Sequence, residues 1–133
     1  MLKKTFTYTD YNGVERTEDH YFNLNKAEVM EMEMSTKGGL AEMIQRIIAA
    51  QDAPAIIKIF KDLIHKSYGV KSADGKRFIK NDELWEEFEQ SEAYPMLFME
   101  LSTDADAASK FINAIVPADL TQQVNAAKHP AIK

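Results

Sequence analysis

Two aspartates near the C-terminal end of the chain have the spacing with which a calcium-binding loop begins. Asp104 and Asp106 stand two residues apart, and such a loop places carboxylates at alternate positions around the cation. The next ligand position holds Ala108, and Ser109 stands where the loop requires glycine for its sharp turn. We therefore interpret the aspartates as the acidic start of a helix, where negative charge is favourable.

The other residues suited to phosphate or metal chemistry do not form a working pattern. Gly75-Lys76 resembles the end of a phosphate-binding loop, but no glycine precedes it at the required spacing, and Arg77 replaces the magnesium-binding hydroxyl residue. The three histidines are far apart and have no ligand spacing: His20, His65 and His129. We predict no metal site and no cofactor.

A cluster of glutamates is the last candidate for chemistry, and it comprises Glu83, Glu86, Glu87 and Glu89. General acid–base catalysis requires a pocket that shifts the pKa of a carboxyl group. Nothing in the sequence implies such a pocket, and the spacing places these side chains on a solvated helix face. We therefore predict that the protein is not an enzyme.

The composition indicates one acidic domain. The chain has 133 residues, no cysteine and a net charge of −5, which argues against nucleic acid as a partner because phosphate binding requires clustered basic charge. No apolar run has the roughly 18 residues that a membrane helix needs, so we expect no membrane contact. The apolar spacing stops at Pro117. This predicts a single domain over 1–117 and a flexible C-terminal tail over 118–133.

Charge is divided between two consecutive blocks of the chain. Residues 58–80 carry seven basic side chains and two acidic ones, whereas residues 81–109 carry nine acidic side chains and no basic one. The blocks can face each other within the fold, steer a partner by long-range attraction, or be solvated helix faces.

The N-terminal part has the pattern of a β-hairpin over 3–24. Asn12-Gly13 separates two runs rich in Thr, Tyr and Phe, and this dipeptide favours a two-residue type I′ turn. Asn25 and Glu28 then form a capping box for a short helix over 26–34. That helix carries Met30, Met32 and Met34, which suit either core filling or an adaptable binding surface.

Helical periodicity dominates the rest of the chain, the helical part over 25–117. Apolar stripes predict helices over 40–50 and 54–67; Gly69 follows as a helix end, with a basic loop over 69–81 that contains a short plug or strand at Phe78 and Ile79. The stripe of the second of these helices is Ile56, Ile57, Phe60, Leu63 and Ile64. Asn81 or Asp82 caps the next helix, Pro95 marks a new start or a kink, and Thr103 caps the last helix, which ends at Pro117. The fold class is therefore α+β: an N-terminal β-hairpin followed by a mostly helical domain of five to six helices.

The stretch over 66–117 resembles the C-terminal half of tail assembly chaperones from long-tailed bacteriophages and prophages of Gram-positive bacteria. The segments that carry the resemblance are KSYG at 66–69, DGKRF at 74–78, Phe88 with FMEL at 98–101, and FINAIVP at 111–117. The N-terminal hairpin followed by a polar-capped helix is also similar, though less specific. The resemblance covers about fifty residues well.

The resemblance implies a non-enzymatic protein of the host cell cytoplasm that binds the tape measure protein and keeps it soluble. The major tail protein would displace it as the tail tube polymerises, so it would be absent from the mature virion; self-association is also open. Two other functions remain open, a structural subunit of the tail or head–tail connector and a small acidic inhibitor of a host nucleic-acid-binding enzyme.

The hypothesis for the partner-binding site is an apolar patch from the last three helices, rimmed by the acidic block over 82–106. The candidate residues are Met96, Phe98 and Met99 for the patch, Glu86, Glu87 and Glu89 for the rim, and Trp85. Three large apolar side chains so close together in one helix cannot all face the core. Trp85 has two alternatives, a core residue beside Leu84 and Phe88, which we favour, or a contact anchor for the partner.

Overall fold

The computed structural model describes residues 1–35 and 53–117, together with Gly39, Glu42 and Gln45. The helix predicted over 40–50 lies outside the described residues except at Glu42 and Gln45, and the tail over 118–133 lies outside them entirely. The division into a domain over 1–117 and a flexible tail therefore stays a prediction.

Two antiparallel strands form the predicted N-terminal hairpin. Strand β1 spans Leu2–Thr9 and strand β2 spans Glu15–Phe22. Phe6 and Phe22 are buried, and His20 is half-buried on the same face as Phe22. Because successive side chains of a strand point to opposite faces, the threonines of β1 lie on the solvent side.

The hairpin turn is one residue longer than Asn12-Gly13 predicted. The amide of Gly13 donates to the carbonyl of Asp10 at 3.0 Å, so the centre of the turn lies before the glycine. Gly13 has a φ of +81°, the left-handed position of a three-residue hairpin loop. The Asp10 carboxylate accepts hydrogen bonds from the amides of Asn12 and Val14, both at 2.9 Å. These two bonds stabilise the three-residue loop.

Two further strands extend the hairpin into a four-stranded sheet. Strand β3 spans Tyr68–Lys71 and strand β4 spans Phe78–Ile79, and the strand order is β1-β2-β3-β4. Phe22 pairs with Tyr68 in antiparallel register. The predicted loop over 69–81 is therefore wrong at its start, where the backbone is a strand, whereas Phe78 and Ile79 form the strand that was one of the two predicted alternatives.

Gly69 has a different role from the predicted helix end. It lies inside β3, opposite Tyr21. A Cβ atom at this position would lie 2.6 Å from the ring of Phe78 and 2.9 Å from the carbonyl oxygen of Ile79. Glycine is therefore required at this position because β4 approaches closely, and not because a helix ends there.

The first described helices largely follow their sequence signals. Helix α1 spans Lys26–Ser35, and the capping box forms: Asn25 Oδ1 accepts from the Glu28 amide at 2.8 Å, and Glu28 Oε1 accepts from the Asn25 amide at 2.9 Å. Helix α2 spans Ala53–Ser67. Its buried side chains include Phe60, Leu63 and Ile64, as predicted. Ile57 is exposed, contrary to the prediction, and the side chain of Ile56 lies outside the described residues.

Three consecutive helices complete the described chain. They are α3 (Asp82–Glu89), α4 (Ala93–Thr103) and α5 (Ala105–Ile115). Asn81 caps α3, since its Oδ1 atom accepts from the Leu84 amide at 2.8 Å. The predicted cap of the last helix is wrong. Asp104 Oδ1 accepts from the amides of Asp106 and Ala107 at 3.0 and 3.2 Å, while the Thr103 hydroxyl donates back to the Met99 carbonyl.

The core joins the inner face of the sheet to these helices. Phe22 meets Phe88 of α3 and Phe111 of α5 edge-on, with ring centroids 5.8 and 5.5 Å apart. Such pairs contribute about 0.5–1.5 kcal/mol each beyond the burial of their area. The α+β prediction is confirmed, with an N-terminal hairpin followed by five helices in the part of the chain that the structure describes.

Candidate partner-binding surfaces

The outer face of α4, which we define by Met96 and Met99, exposes two large apolar side chains. Ala93, Leu97 and Leu101 recur every four residues on the buried side of the helix. Met96 and Met99 lie away from this buried side, and their exposed fractions are 44% and 57%. Two of the three predicted patch residues are thus at the surface of a helix that the core holds in place.

Phe98 differs from its two neighbours. Its side chain is half-buried and packs against the core, and its ring centroid lies 5.9 Å from that of Tyr94. Phe98 is therefore mainly a packing residue that supports α4, and only its exposed part remains for a partner.

The acidic side chains predicted as the rim stand on α3. Glu86 and Glu87 are exposed, and Glu89 is half-buried. Within the described chain, no basic side chain forms an ion pair with any of the three. Their charge acts on neighbouring hydroxyls: burial, and then the charge of Glu87, raises the pKa of Tyr68 to about 12. The face therefore keeps uncompensated negative charge.

Trp85 is part of the core. Its exposed fraction is 7%, its ring stacks on the ring of His65 with centroids 4.3 Å apart, and Tyr94 meets it edge-on at 5.6 Å. These contacts agree with the favoured alternative, in which Trp85 packs beside Phe88. The small exposed part of the indole nevertheless opens into a cleft.

This cleft lies between α1, the C-terminal end of α2 and the start of α3, and we call it the Trp85 cleft. Its volume is about 550 Å³. The lining combines buried apolar side chains with charged ones at the edge: Leu24, Glu28, Glu31, Met32, His65, Lys66, Tyr68, Lys80, Asn81, Asp82 and Trp85. No local sequence pattern indicates this cleft, because its lining residues come from distant segments of the chain.

Lys80 holds three of these segments together at the cleft. Its ammonium group donates to the carbonyl oxygens of Asn23 and Lys66 at 2.8 and 2.7 Å and to Glu28 Oε2 at 2.7 Å. Since Glu28 also closes the capping box of α1, one side chain ties the end of β2, the end of α2 and the start of α1. Lys80, which was predicted to lie in a basic loop, therefore acts as a structural crosslink.

The methionines of α1 are divided between core and surface. Met32 is buried and lines the Trp85 cleft, whereas Met30 is exposed and Met34 has an exposed fraction of 84%. The core-filling interpretation therefore holds for one of the three methionines.

The two charge blocks do not pair with each other among the described ion pairs. Lys80 of the basic block pairs with Glu28, while Glu100 and Asp106 of the acidic block pair with Lys4 and Lys110. The steering of a partner and simple solvation remain as alternatives for the unpaired charges.

The described residues contain no group of three or more His, Asp or Glu side chains placed to hold a metal ion. Nor does any helix among them combine the length and apolarity needed to cross a bilayer. The features that remain are surfaces for contact: the outer face of α4, the acidic face of α3 and the Trp85 cleft.

A family model described as phage tail assembly chaperone matches residues 1–133. No curated protein and no solved structure matches the chain.

Proposed function

Because this match spans its whole length, the chain belongs to the phage tail assembly chaperone family, and we propose that it binds the tape measure protein and keeps it soluble until the tail tube polymerises. The major tail protein displaces it at that point. The protein then acts in the cytoplasm of the host cell and is absent from the mature virion. A Gram-positive host stays a prediction.

The family suggests a non-enzymatic role, and the proposal requires only binding. The observation that carries it is the outer face of α4, where Met96 and Met99 are exposed although the helix beneath them is well packed. Methionine is flexible and polarizable, so it adapts to varied apolar partners. A long helical chain that has not yet been enclosed by the tail tube would present such an apolar stripe.

The acidic face of α3 suits a chaperone that must bind quickly and let go. Its unpaired carboxylates would attract a partner with basic residues over a distance. Charges at the edge of an interface mainly change the association rate and contribute little to affinity. A modest apolar contact combined with such steering gives a complex that forms fast and is still displaceable.

The proposal is tested by co-expressing the protein with the tape measure protein of the same phage. We expect the tape measure protein to be insoluble alone and to co-purify with this chain as a soluble complex. A tape measure protein that is equally soluble without the chain, or that does not co-purify with it, would refute the proposal. Mass spectrometry of purified virions separates the chaperone from the alternative, a structural subunit of the tail or head–tail connector, which would be found in the particle.

The role of the acidic face is tested by the triple change Glu86→Gln, Glu87→Gln and Glu89→Gln. We expect slower association with the tape measure protein at low salt and little difference at high salt. Salt at 0.1 M already screens interactions between exposed charges more than about 10 Å apart, and higher salt shortens this distance. The matched control removes the same charge elsewhere, with Glu15→Gln, Asp19→Asn and Asp62→Asn. An unchanged rate at low salt, or an equal loss in the control, would show that the α3 face is only solvated.

A further inference from the structure

The Trp85 cleft has the construction of an anchoring site, and no role has been assigned to it. We propose that it accepts one large apolar side chain from an amphipathic helix of the tape measure protein, with a lysine or arginine of that helix beside the cleft edge. This inference rests on the proposed function and adds a second, concave contact to the outer face of α4.

The floor of the cleft is apolar and well supported. Leu24, Met32, Tyr68 and Trp85 are all buried in the core, yet each contributes to the lining. The indole is held by stacking on His65 and by the edge of Tyr94. A tryptophan fixed in this way loses little conformational freedom on binding, which is why residues of this type dominate binding energy at interfaces.

The charges at the edge leave an acidic excess. Glu28 and Lys80 neutralise each other at 2.7 Å. Among the described residues, Glu31 and Asp82 form no ion pair, and Lys66 is the one lysine of the lining that is also without one. The carboxylates of Glu31 and Asp82 outnumber the ammonium group of Lys66, so the cleft edge favours a basic residue on the incoming segment.

The walls of the cleft favour a helix as the incoming segment. Glu28, Glu31 and Met32 lie on one face of α1, and Asp82 and Trp85 lie on one face of α3. A groove between helical faces accepts the apolar stripe of a third helix through residues three or four positions apart. The volume of about 550 Å³ holds a side chain together with part of the helix that carries it, and Met32 can adjust to different side chains.

The chain has no cysteine, so a single introduced cysteine can be labelled selectively. The test variant is Glu31→Cys, at the exposed edge of the cleft, labelled with a bulky maleimide. The matched control is Ala73→Cys with the same label, at an exposed turn position outside the lining. Binding is measured to the full tape measure protein and to overlapping peptides that tile it. We expect the label at position 31 to weaken binding at least tenfold and the label at position 73 to change it less than twofold.

Trp85 provides a second measurement, because it is the only tryptophan in the chain. Incorporation of 5-fluorotryptophan gives one ¹⁹F resonance that reports on the cleft in the otherwise unchanged protein. We expect this resonance to shift when a tightly binding peptide is added. The tightest peptides should be amphipathic helices with a lysine or arginine three or four positions from a large apolar residue.

The outcomes separate this inference from the proposed function. If the unlabelled parent does not bind the tape measure protein, the proposed function fails and the inference falls with it. If the parent binds but the label at position 31 has no effect and the ¹⁹F resonance stays in place, the inference alone is wrong. It is also wrong if the label disrupts self-association without weakening peptide binding, since the occupant is then a second copy of this chain.

Discussion

The outer face of α4 and the Trp85 cleft both present apolar surface, but they are built in opposite ways. On α4 two flexible methionines protrude from a helix whose buried side is complete without them. In the cleft the apolar residues belong to the core itself and reach the surface at one edge. The first can therefore be changed without affecting the fold, whereas the second links partner contact to stability. Three predictions test this contrast, and a fourth concerns a reference site outside both surfaces.

The largest effect is expected for Trp85→Ala. Truncating a buried aromatic side chain costs about 3–5 kcal/mol of unfolding free energy, and this one also supports His65 and Tyr94. Chemical denaturation followed by circular dichroism measures the loss, with Trp85→Phe as a milder control. A variant that melts like the parent but no longer binds its partner would show that Trp85 is an anchor and contributes little to the core.

A smaller loss is expected for Lys80→Met, which removes the crosslink at the cleft. The carbonyls of Asn23 and Lys66 and the carboxylate of Glu28 lose their shared donor. An unsatisfied buried acceptor costs about 1–3 kcal/mol. The bonds to Asn23 and Glu28 are half-buried and the bond to Lys66 is exposed, so we expect a loss near the lower end, about 1 kcal/mol. The control is Lys76→Met at an exposed turn position, which should change the unfolding free energy by less than about 0.5 kcal/mol. Equal effects of the two changes would mean that Lys80 is not a crosslink.

The double change Met96→Gln and Met99→Gln should leave stability almost unaltered and weaken partner binding. Both side chains are exposed, and glutamine is as good a helix former as methionine. We expect the unfolding free energy to stay within about 0.5 kcal/mol of the parent. Calorimetry or co-purification should show a clear loss of tape measure binding. Met30→Gln with Met34→Gln on α1 is the control for general loss of exposed methionine, and a similar loss there would remove the special role of α4.

The smallest effect is expected at the hairpin turn, which lies outside both surfaces. The hydrogen bond from Arg16 is the main cause that lowers the pKa of Asp10, with the amides of Val14 and Asn12 adding to it. Because the pKa of Asp10 is lower in the folded state than in the unfolded state, this carboxylate stabilises the folded protein at pH values above its unfolded pKa of about 3.9. This contribution is lost as the pH falls through the lower, folded value.

Asp10→Asn keeps the side-chain carbonyl oxygen but loses the charge. Its melting temperature should therefore be slightly below that of the parent at neutral pH, and the difference should shrink as the pH falls below about 4. Thermal melts across this pH range measure the effect, and tape measure binding should not change. A difference that stays constant with pH would contradict the role of the charge.

The sequence predicted well the features that depend on neighbours along the chain. The capping box of Asn25 and Glu28 forms because both partners are three residues apart. The alternation of buried and exposed side chains along β1 was also predicted correctly, because it depends on residues two positions apart. Local signals were misleading where two of them competed. Asp104 caps the last helix in place of Thr103. In the hairpin, where Asp10 accepts two hydrogen bonds, the turn is centred one residue before Asn12-Gly13.

The candidate partner-binding residues could be predicted only in part. Periodicity indicated that the methionines of α4 cannot all face the core, and the structure shows that Met96 and Met99 are the exposed ones while Phe98 packs inwards. The burial of a given residue depends on which elements cover its helix. A single sequence shows the apolar stripe of a helix but not which other elements pack against it.

The sequence by itself determined the capping box of α1 and the Asn81 cap of α3, since these depend on contacts within a few residues. Only the tertiary structure decided that Gly69 lies in a strand under Phe78, that Lys80 joins three segments, and that Trp85 forms the floor of a cleft. Each of these contacts links residues that are distant in sequence and meet only when the sheet and helices pack. The physical reason is that burial and electrostatic pairing depend on distance in space, which spacing along the chain does not fix beyond a turn or two of helix.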